Sequence, residues 1–549
     1  MGLKIYAAFG VAASLLMAAP AQAENADILL VGGAIIDGTG KSPRRADLAI
    51  KGERIVAVGK NLKMDALQTL DISGLMVSPG AIDLHNHSEY AFGSVEGANL
   101  SEKTLRQCVT TIVIGPDGSY DPERLRGIFT TVDKIGSGVN VAFFVGHNGI
   151  RENVMGDRQN RAPLKDELTQ MAALADEGMK MGAVGLATGL MYSPGVFSET
   201  DEVIALAKMA APYGGVYSSH VRDPHSALLQ SNWEAIEIGR QAGVPVNLTH
   251  LTTPGKHHRG LMKAVIEQVE DANRDGVRVT ADQYPYPAVA TVKLWDVLSF
   301  PEGVSVSSLA DVRALLRNPE ERARLRHETV TGGADGFSHY KASGASSLYI
   351  LDCPGCEQYE MRFISEVAAD ENIDGFEAVA ELLMEAQGDV IISVGGFYEE
   401  DMVDLLKQPW AMVASDAYPK FDEASVVHPR AFGTFPRIFG KYVREDGVLS
   451  LGEAVRKMTS APADFTGLKE RGRIEEGAYA DLCVFDADAI ADRSTWAEPM
   501  LMPVGVEHVL VNGAFAIRDG EATGDPHGVI VKRELKTSPV PAPHKKRKK

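Results

Sequence analysis

Residues 78–88 read Ser78-Pro79-Gly80-Ala81-Ile82-Asp83-Leu84-His85-Asn86-His87-Ser88, a short apolar run that ends on a His-x-His pair. Side chains on a strand alternate with period two, so both imidazoles face one side. The run is one of eight. It spans Met76–Leu84, and the others lie near Val109–Gly115, Val139–Gly146, Ala183–Thr188, Gly215–His220, Val244–His250, Val277–Asp282 and Trp410–Asp416. Most are followed by a helical stretch such as ETDEVIALAKMAAPYGG or NWEAIEIGRQAGV. Strand then helix, eight times, predicts an α/β fold of the (β/α)8, TIM-barrel type. The long gap from about Ala288 to Met402 exceeds one helix and predicts an insertion.

The flanks have a different texture. Asp27 to Ile72 alternates short apolar runs with Gly-containing turns, and ADLCVFDADAI and EHVLVNGAFAIRDGE repeat that texture near the end. Two β-rich pieces at opposite ends predict one small β-sandwich domain formed by both chain ends. The expected division is 24–75 and 466–533 for that domain and 76–465 for the barrel, with its insertion within 288–402.

The ends themselves carry other signals. Met1-Gly2-Leu3-Lys4, an apolar stretch from Ile5 to Pro20 and Ala21-Gln22-Ala23 form a signal peptide over 1–23, cleaved after Ala23. The stretch is short of the ~20 residues that span a bilayer, so no stable membrane insertion is expected. A periplasmic or secreted protein follows. Residues 534–549 are Pro-rich and end in Lys545-Lys546-Arg547-Lys548-Lys549, a disordered basic tail.

Composition narrows the class. The 549 residues are 45% hydrophobic and 23% charged, which excludes a disordered or fibrous chain. A net charge of −19 disfavours a nucleic-acid binder, which needs clustered Lys and Arg. Four cysteines are too few for a disulfide scaffold. Cys353-Pro354-Gly355-Cys356 reads as a local disulfide in an exported protein.

In such barrels the active site lies at the C-terminal ends of the strands. The first run ends on His85 and His87, the second is followed by Asp117, the fifth ends on His220, the sixth on His250 and the eighth on Asp416. A lone His at a strand end is more often packed or solvated than a ligand. Four His and two Asp at one mouth instead point to one or two metal ions, because Zn²⁺ accepts imidazole nitrogen and carboxylate oxygen.

SPGAIDLHNHS, VTTIVIGPDG, GHNGIRENVMG, GLATGLMYSPG, GGVYSSHVRD, TADQYPYPA, HPRAFGTFPR and GRIEEGAYADLCVFD recur in order from about Asp27 to Lys532. In these the chain resembles the amidohydrolase superfamily and, within it, the N-acyl-D-amino-acid deacylases. The resemblance implies a zinc-dependent barrel with one or two ions. It implies His85, His87, His220 and His250 as ligands and Asp416 as the acid/base. Some members carry a ligating Cys where this chain has Asp117, which would make that ligand a carboxylate. Cys108 begins the second strand, at the wrong mouth, and reads as a buried thiol. The end of the fourth run, GLATG, has no Lys, which argues against a carbamylated-lysine bridge. His147 is expected in a supporting role.

The implied partner is a small-molecule amide, an N-acyl-D-amino acid. Its carboxylate would suit a bidentate Arg, with Arg222 and Arg430 as candidates and Tyr192 and Tyr284 as added hydrogen-bond donors. Two departures bear on specificity: Thr252 stands where members commonly have Lys, and Pro224 where they commonly have Glu. They keep open a rival in which the same machinery cleaves a cyclic, peptide-like or xenobiotic amide. A non-catalytic binding protein on this scaffold is the remaining alternative.

Overall fold

Eight short strands, each buried along its whole length, form the centre of the computed structural model. They are β1 (Ala81–Asp83), β2 (Val109–Ile114), β3 (Asn140–Phe143, continued by Val145–Gly146), β4 (Gly185–Gly189), β5 (Val216–His220), β6 (Val246–Leu248), β7 (Val279–Gln283) and β8 (Ala411–Val413). Strands covered on both faces read as unbroken apolar runs, which is why the sequence shows blocks here rather than alternation. Consecutive strands pair in parallel from β1 to β8. A parallel bridge between Asn86 and Ala417, with Asp416 N donating to His85 O at 2.9 Å, joins β8 back to β1 and closes the ring. The structure describes residues 25–534 except 94–97, 157–159, 226, 302, 305, 307, 333–339, 342–343 and 419–425. The signal peptide and all but the first residue of the basic tail lie outside the described residues.

Helices follow the strands and pack outside them. Pro122–Ile135 is typical: the Asp121 side chain caps its first turn by accepting from Arg124 N, Pro122 opens it, and Gly136 at φ +76° ends it. Phe465 and Leu468 cluster with Ile82, Val113, Phe144 and Met412, burying apolar surface of the barrel.

Both ends of the described chain build a β-sandwich. One sheet orders Arg54–Gly59, Asp47–Lys51, Ala26–Val31 and Ala66–Asp71. The other runs Glu521–Ala522, Ala514–Arg518, Val506–Val511, Leu482–Phe485, Met76–Pro79, Ala34–Ile35 and Arg44–Arg45. Leu30, Leu48, Val77, Leu482, Val484 and Leu510 share its core.

Three expectations are corrected. Met76–Leu84 is two strands: Met76–Pro79 pairs with Leu482–Phe485 in the sandwich, and β1 begins the barrel after Gly80. A Cβ on Gly80 would lie 2.1 Å from Thr110 Oγ1, so only glycine lets the chain cross between the two units there. The last described residues leave the sandwich, and Val531 N donates to Val141 O along β3. Cys108 is no free thiol: it forms a disulfide with Cys483, because Leu482–Phe485 docks where β2 begins.

Between β7 and β8 the chain forms a separate antiparallel sheet of Ala290–Lys293, Leu348–Asp352 and Ile391–Val394. Ile350, Val379, Leu383 and Ile392 give it a core of its own. Cys353 and Cys356 are disulfide-bonded at the end of Leu348–Asp352.

Candidate metal centre

The strands deliver six side chains to one point at the C-terminal mouth. His85 Nε2 and His87 Nε2 lie 3.1 Å apart. Asp416 Oδ1 is 3.4 Å from the first and 3.3 Å from the second. Asp117 lies 3.6 Å from His85 Nε2, 3.7 Å from His87 Nε2 and 3.8 Å from His220 Nδ1. The His250 ring stands 4.9 Å from that of His85 and 4.4 Å from that of His220.

These positions are held against local preference. His250 has φ +33° and Asp416 φ +48°, a left-handed region that few residues other than glycine adopt. His250 N donates to Asp282 Oδ1 at 2.7 Å, and Asp416 N to His85 O. Strain of this kind clusters where a side chain must be aimed.

The donor set suits a cation. His85, Asp117 and His250 offer ligand atoms that all lie within 4.8 Å of one another, as do His85, His87 and Asp416. Asp117 Oδ1 and His85 Nδ1 are buried with no hydrogen-bond partner. Burial first, and for His85 and His220 also the neighbouring imidazoles, holds these rings below the usual histidine range, leaving neutral nitrogen donors. Burial and then Asp416 and Glu89 drive the Asp117 carboxyl well above its usual range. Two carboxylates so close repel, and a divalent cation between them would relieve both repulsion and desolvation. The six side chains offer nitrogen and oxygen donors, which fits zinc as a borderline ion, and the Met191 sulfur lies 3.4 Å from His220 Nε2.

Several supporting groups escaped the sequence reading. Asp282 accepts from His250 N and Asn247 Nδ2, and burial pushes its carboxyl up to about 7. Asp83 accepts from Ser415 N at 2.9 Å and Asn86 Nδ2 at 2.7 Å, fixing β1 to the turn that carries Asp416. Glu89 Oε1 sits 3.9 Å from His87 Nδ1. The Tyr418 ring stacks on His87 with centroids 4.0 Å apart. Asp282 and Asp83 were visible as acids within apolar runs. Nothing local marked the other two.

The four substrate candidates separate. Arg430 Nη1 lies 2.8 Å from Asp416 Oδ2, and its guanidinium sits 4.4 Å over the Tyr284 ring. Tyr192 Oη is 3.3 Å from His220 Nδ1. Arg222 is corrected: Nε and Nη2 grip Glu234 at 3.0 and 2.9 Å, and Nη1 donates to Val196 O, so its fork is already filled. His147 Nε2 faces Glu202 at 2.8 Å, the carboxylate that also holds Arg151, and not the imidazole cluster.

Comparison with known proteins is consistent with this arrangement. The profile described as "Amidohydrolase family" matches residues 377–517. The chain is 32% identical to the N-acyl-D-glutamate deacylase of Alcaligenes xylosoxydans xylosoxydans, covering 94% of this chain and 99% of that protein. It is 31% identical to the D-aminoacylase of the same organism, over 92% and 98% of the two. A crystal structure of N-acyl-D-glutamate deacylase from Bordetella bronchiseptica, complexed with zinc and a phosphonate inhibitor, superposes with a TM-score of 0.72. The two are 30% identical, over 93% of this chain and 100% of that one.

Proposed function

The chain belongs to the N-acyl-D-amino-acid deacylase family of the amidohydrolases, and from that premise we propose that it hydrolyses N-acyl-D-amino acids to a carboxylate and a free D-amino acid. The observation that carries the reading is Asp416. Its carboxylate lies against two candidate zinc ligands on one side and the Arg430 guanidinium on the other.

His85, His87, Asp117, His220 and His250 would hold one or two zinc ions. A bound zinc supplies Lewis acidity, which brings the pKa of water toward ~7 and polarises a carbonyl. The chain's own groups do the rest. Asp416 Oδ1 takes the proton of the attacking water and returns it to the leaving nitrogen, acting first as base and then as acid. Burial opposes ionisation of Asp416. Arg430 leads the groups that outweigh it and hold the carboxyl well below the usual range, so Asp416 rests as the carboxylate a base must be. Arg430 has further N–H donors for the substrate carboxylate, Tyr284 stacks beneath it, and Tyr192 Oη donates at the same mouth.

Export is part of the proposal. The apolar stretch Ile5–Pro20 with Ala21-Gln22-Ala23 supports a cleaved leader and a periplasmic or secreted enzyme. The pairing of all four cysteines in disulfides agrees with an oxidising compartment.

The test is amine release from paired N-acetyl-D- and N-acetyl-L-amino acids by zinc-loaded protein, with Asp416→Ala alongside. Turnover of the D series, lost by ~10²-fold or more in the variant, is expected. Turnover of neither series with zinc bound sinks the reading.

A further inference from the structure

Arg430 opens the helix Arg430–Arg437, and the first amides of a helix have no partner within it. Pro429 before it has no N–H, so Arg430 N is the first amide that needs one. His428 supplies it: its Nδ1 accepts from Arg430 N at 3.0 Å. A side-chain acceptor bonded to the amide two residues on is the arrangement of an Asx turn. The other ring nitrogen is engaged as well, with Nε2 donating to Ala288 O at 3.3 Å. An amide only donates and a carbonyl only accepts, so the imidazole is neutral with its proton on Nε2. Burial, and after it Arg430, hold the ring well below the usual histidine range, which agrees with that state.

The imidazole is also boxed in. Tyr284, Tyr286 and Trp496 meet it edge to face, with centroids 5.8, 5.6 and 5.0 Å away. Trp496 comes from the excursion between the sandwich strands Leu482–Phe485 and Val506–Val511, and the two tyrosines follow β7. Ala288 belongs to the segment that joins β7 to the sheet of the insertion. Its neighbour Val289 is held there by Ser393 Oγ, which accepts from Val289 N at 3.0 Å. Val289 O in turn accepts from Arg430 Nη1 at 3.3 Å. One short segment therefore grips Arg430 twice, at its backbone through His428 and at its guanidinium directly.

We propose that His428 is a positioning residue for the substrate carboxylate, fixing the backbone of Arg430 against Ala288 so that the guanidinium keeps its place between Asp416 and Tyr284. The inference rests on the deacylase reading and adds a residue to its substrate site. A free arginine has many rotamers, and a substrate that had to freeze them would bind more weakly. His428 settles where that side chain starts.

The experiment measures kcat/KM of zinc-loaded enzyme on the N-acetyl-D-amino acid cleaved fastest and on the same compound with its carboxylate replaced by a primary amide. The scissile bond is the same in both, so the ratio reads the carboxylate receptor alone. His428→Phe keeps a flat ring among the aromatic walls and lacks the acceptor, and the ratio should fall about tenfold, mostly through KM. His428→Asn returns an acceptor at the Asx-turn position and should hold the ratio within about twofold of wild type. His428→Gln keeps a donor and lacks that acceptor, so it should follow the Phe variant and replaces it if that protein does not fold. Bound zinc, measured by elemental analysis, shows that each variant is folded.

An unchanged ratio in the Phe and Gln variants overturns the inference. So does an equal loss on both compounds, the result of a merely structural role, or a fall in the Asn variant as large as in the Phe variant. If wild type cleaves no amide, the deacylase reading falls, and calorimetry of N-acetyl-D-alanine tests the receptor by itself. Binding weakened about tenfold by His428→Phe then supports the positioning role. Equal binding by the two proteins, or binding by neither, overturns it.

Discussion

Arg430 Nη1 stands 2.8 Å from Asp416 Oδ2, with each side chain only 10% exposed. The pair sets the proton affinity of the proposed base. Removing the cation should raise the Asp416 pKa. Because the base works only when deprotonated, Arg430→Gln should move the acid limb of the kcat/KM profile to higher pH. A profile that keeps its acid limb would show that Arg430 does not govern Asp416.

Asp117 lies within 3.8 Å of three of the imidazoles. Asp117→Ala should lower the bound metal per chain, measured by elemental analysis after dialysis. Full metal content in that variant would take Asp117 out of the ligand set.

The Cys108–Cys483 bond spans 375 residues and ties the base of the barrel to the sandwich. Cys483→Ser should cost about 2–5 kcal/mol of stability while leaving metal content unchanged. Chemical denaturation under non-reducing conditions measures the first, and elemental analysis the second. An unchanged midpoint would mean that the packing between the two units suffices without the bond.

Lys457 is fully buried and donates to Ala411 O at 3.1 Å, at the first residue of β8. Burial pushes its ammonium down to about 8. A depressed folded pKa makes the unfolded chain bind more protons, so this group should add stability as pH rises from about 8 toward its unfolded value near 10.4. Lys457→Met should remove that rise from a plot of Tm against pH. A rise of equal size in the variant would assign it to another group.

The convergence of the candidate ligands at one mouth was legible because each sits at the end of a buried run, and strand ends share one rim in this fold. His85 and His87 were strengthened by their period-two spacing, and His220 and His250 by their place in the strand order. What stayed hidden depends on chain closure. Glu234, which occupies Arg222, sits on the next helix, and only the folded loop brings the two together. Tyr90 and Tyr418 meet because β1 and β8 are neighbours in the ring, although they are far apart in sequence. Met76–Leu84 looked like one strand because Pro79 and Gly80 fall within an apolar run, and only pairing partners reveal the change of sheet. Cys108 found its partner through that same sandwich sheet.

The strand Met76–Pro79 lies between Ala34–Ile35 and Leu482–Phe485. Synthesis runs from one end, so the first half of the sandwich emerges long before the strand that completes it. Until then Met76–Pro79 lacks its neighbour on one side, a row of unpaired amides open to wrong partners. The barrel between them can close strand by strand in the meantime, bringing the late strand to where the early ones wait. A truncation that removes Leu482–Phe485 would therefore leave an adhesive edge as well as a smaller protein, and the order of synthesis makes every nascent chain pass through that state.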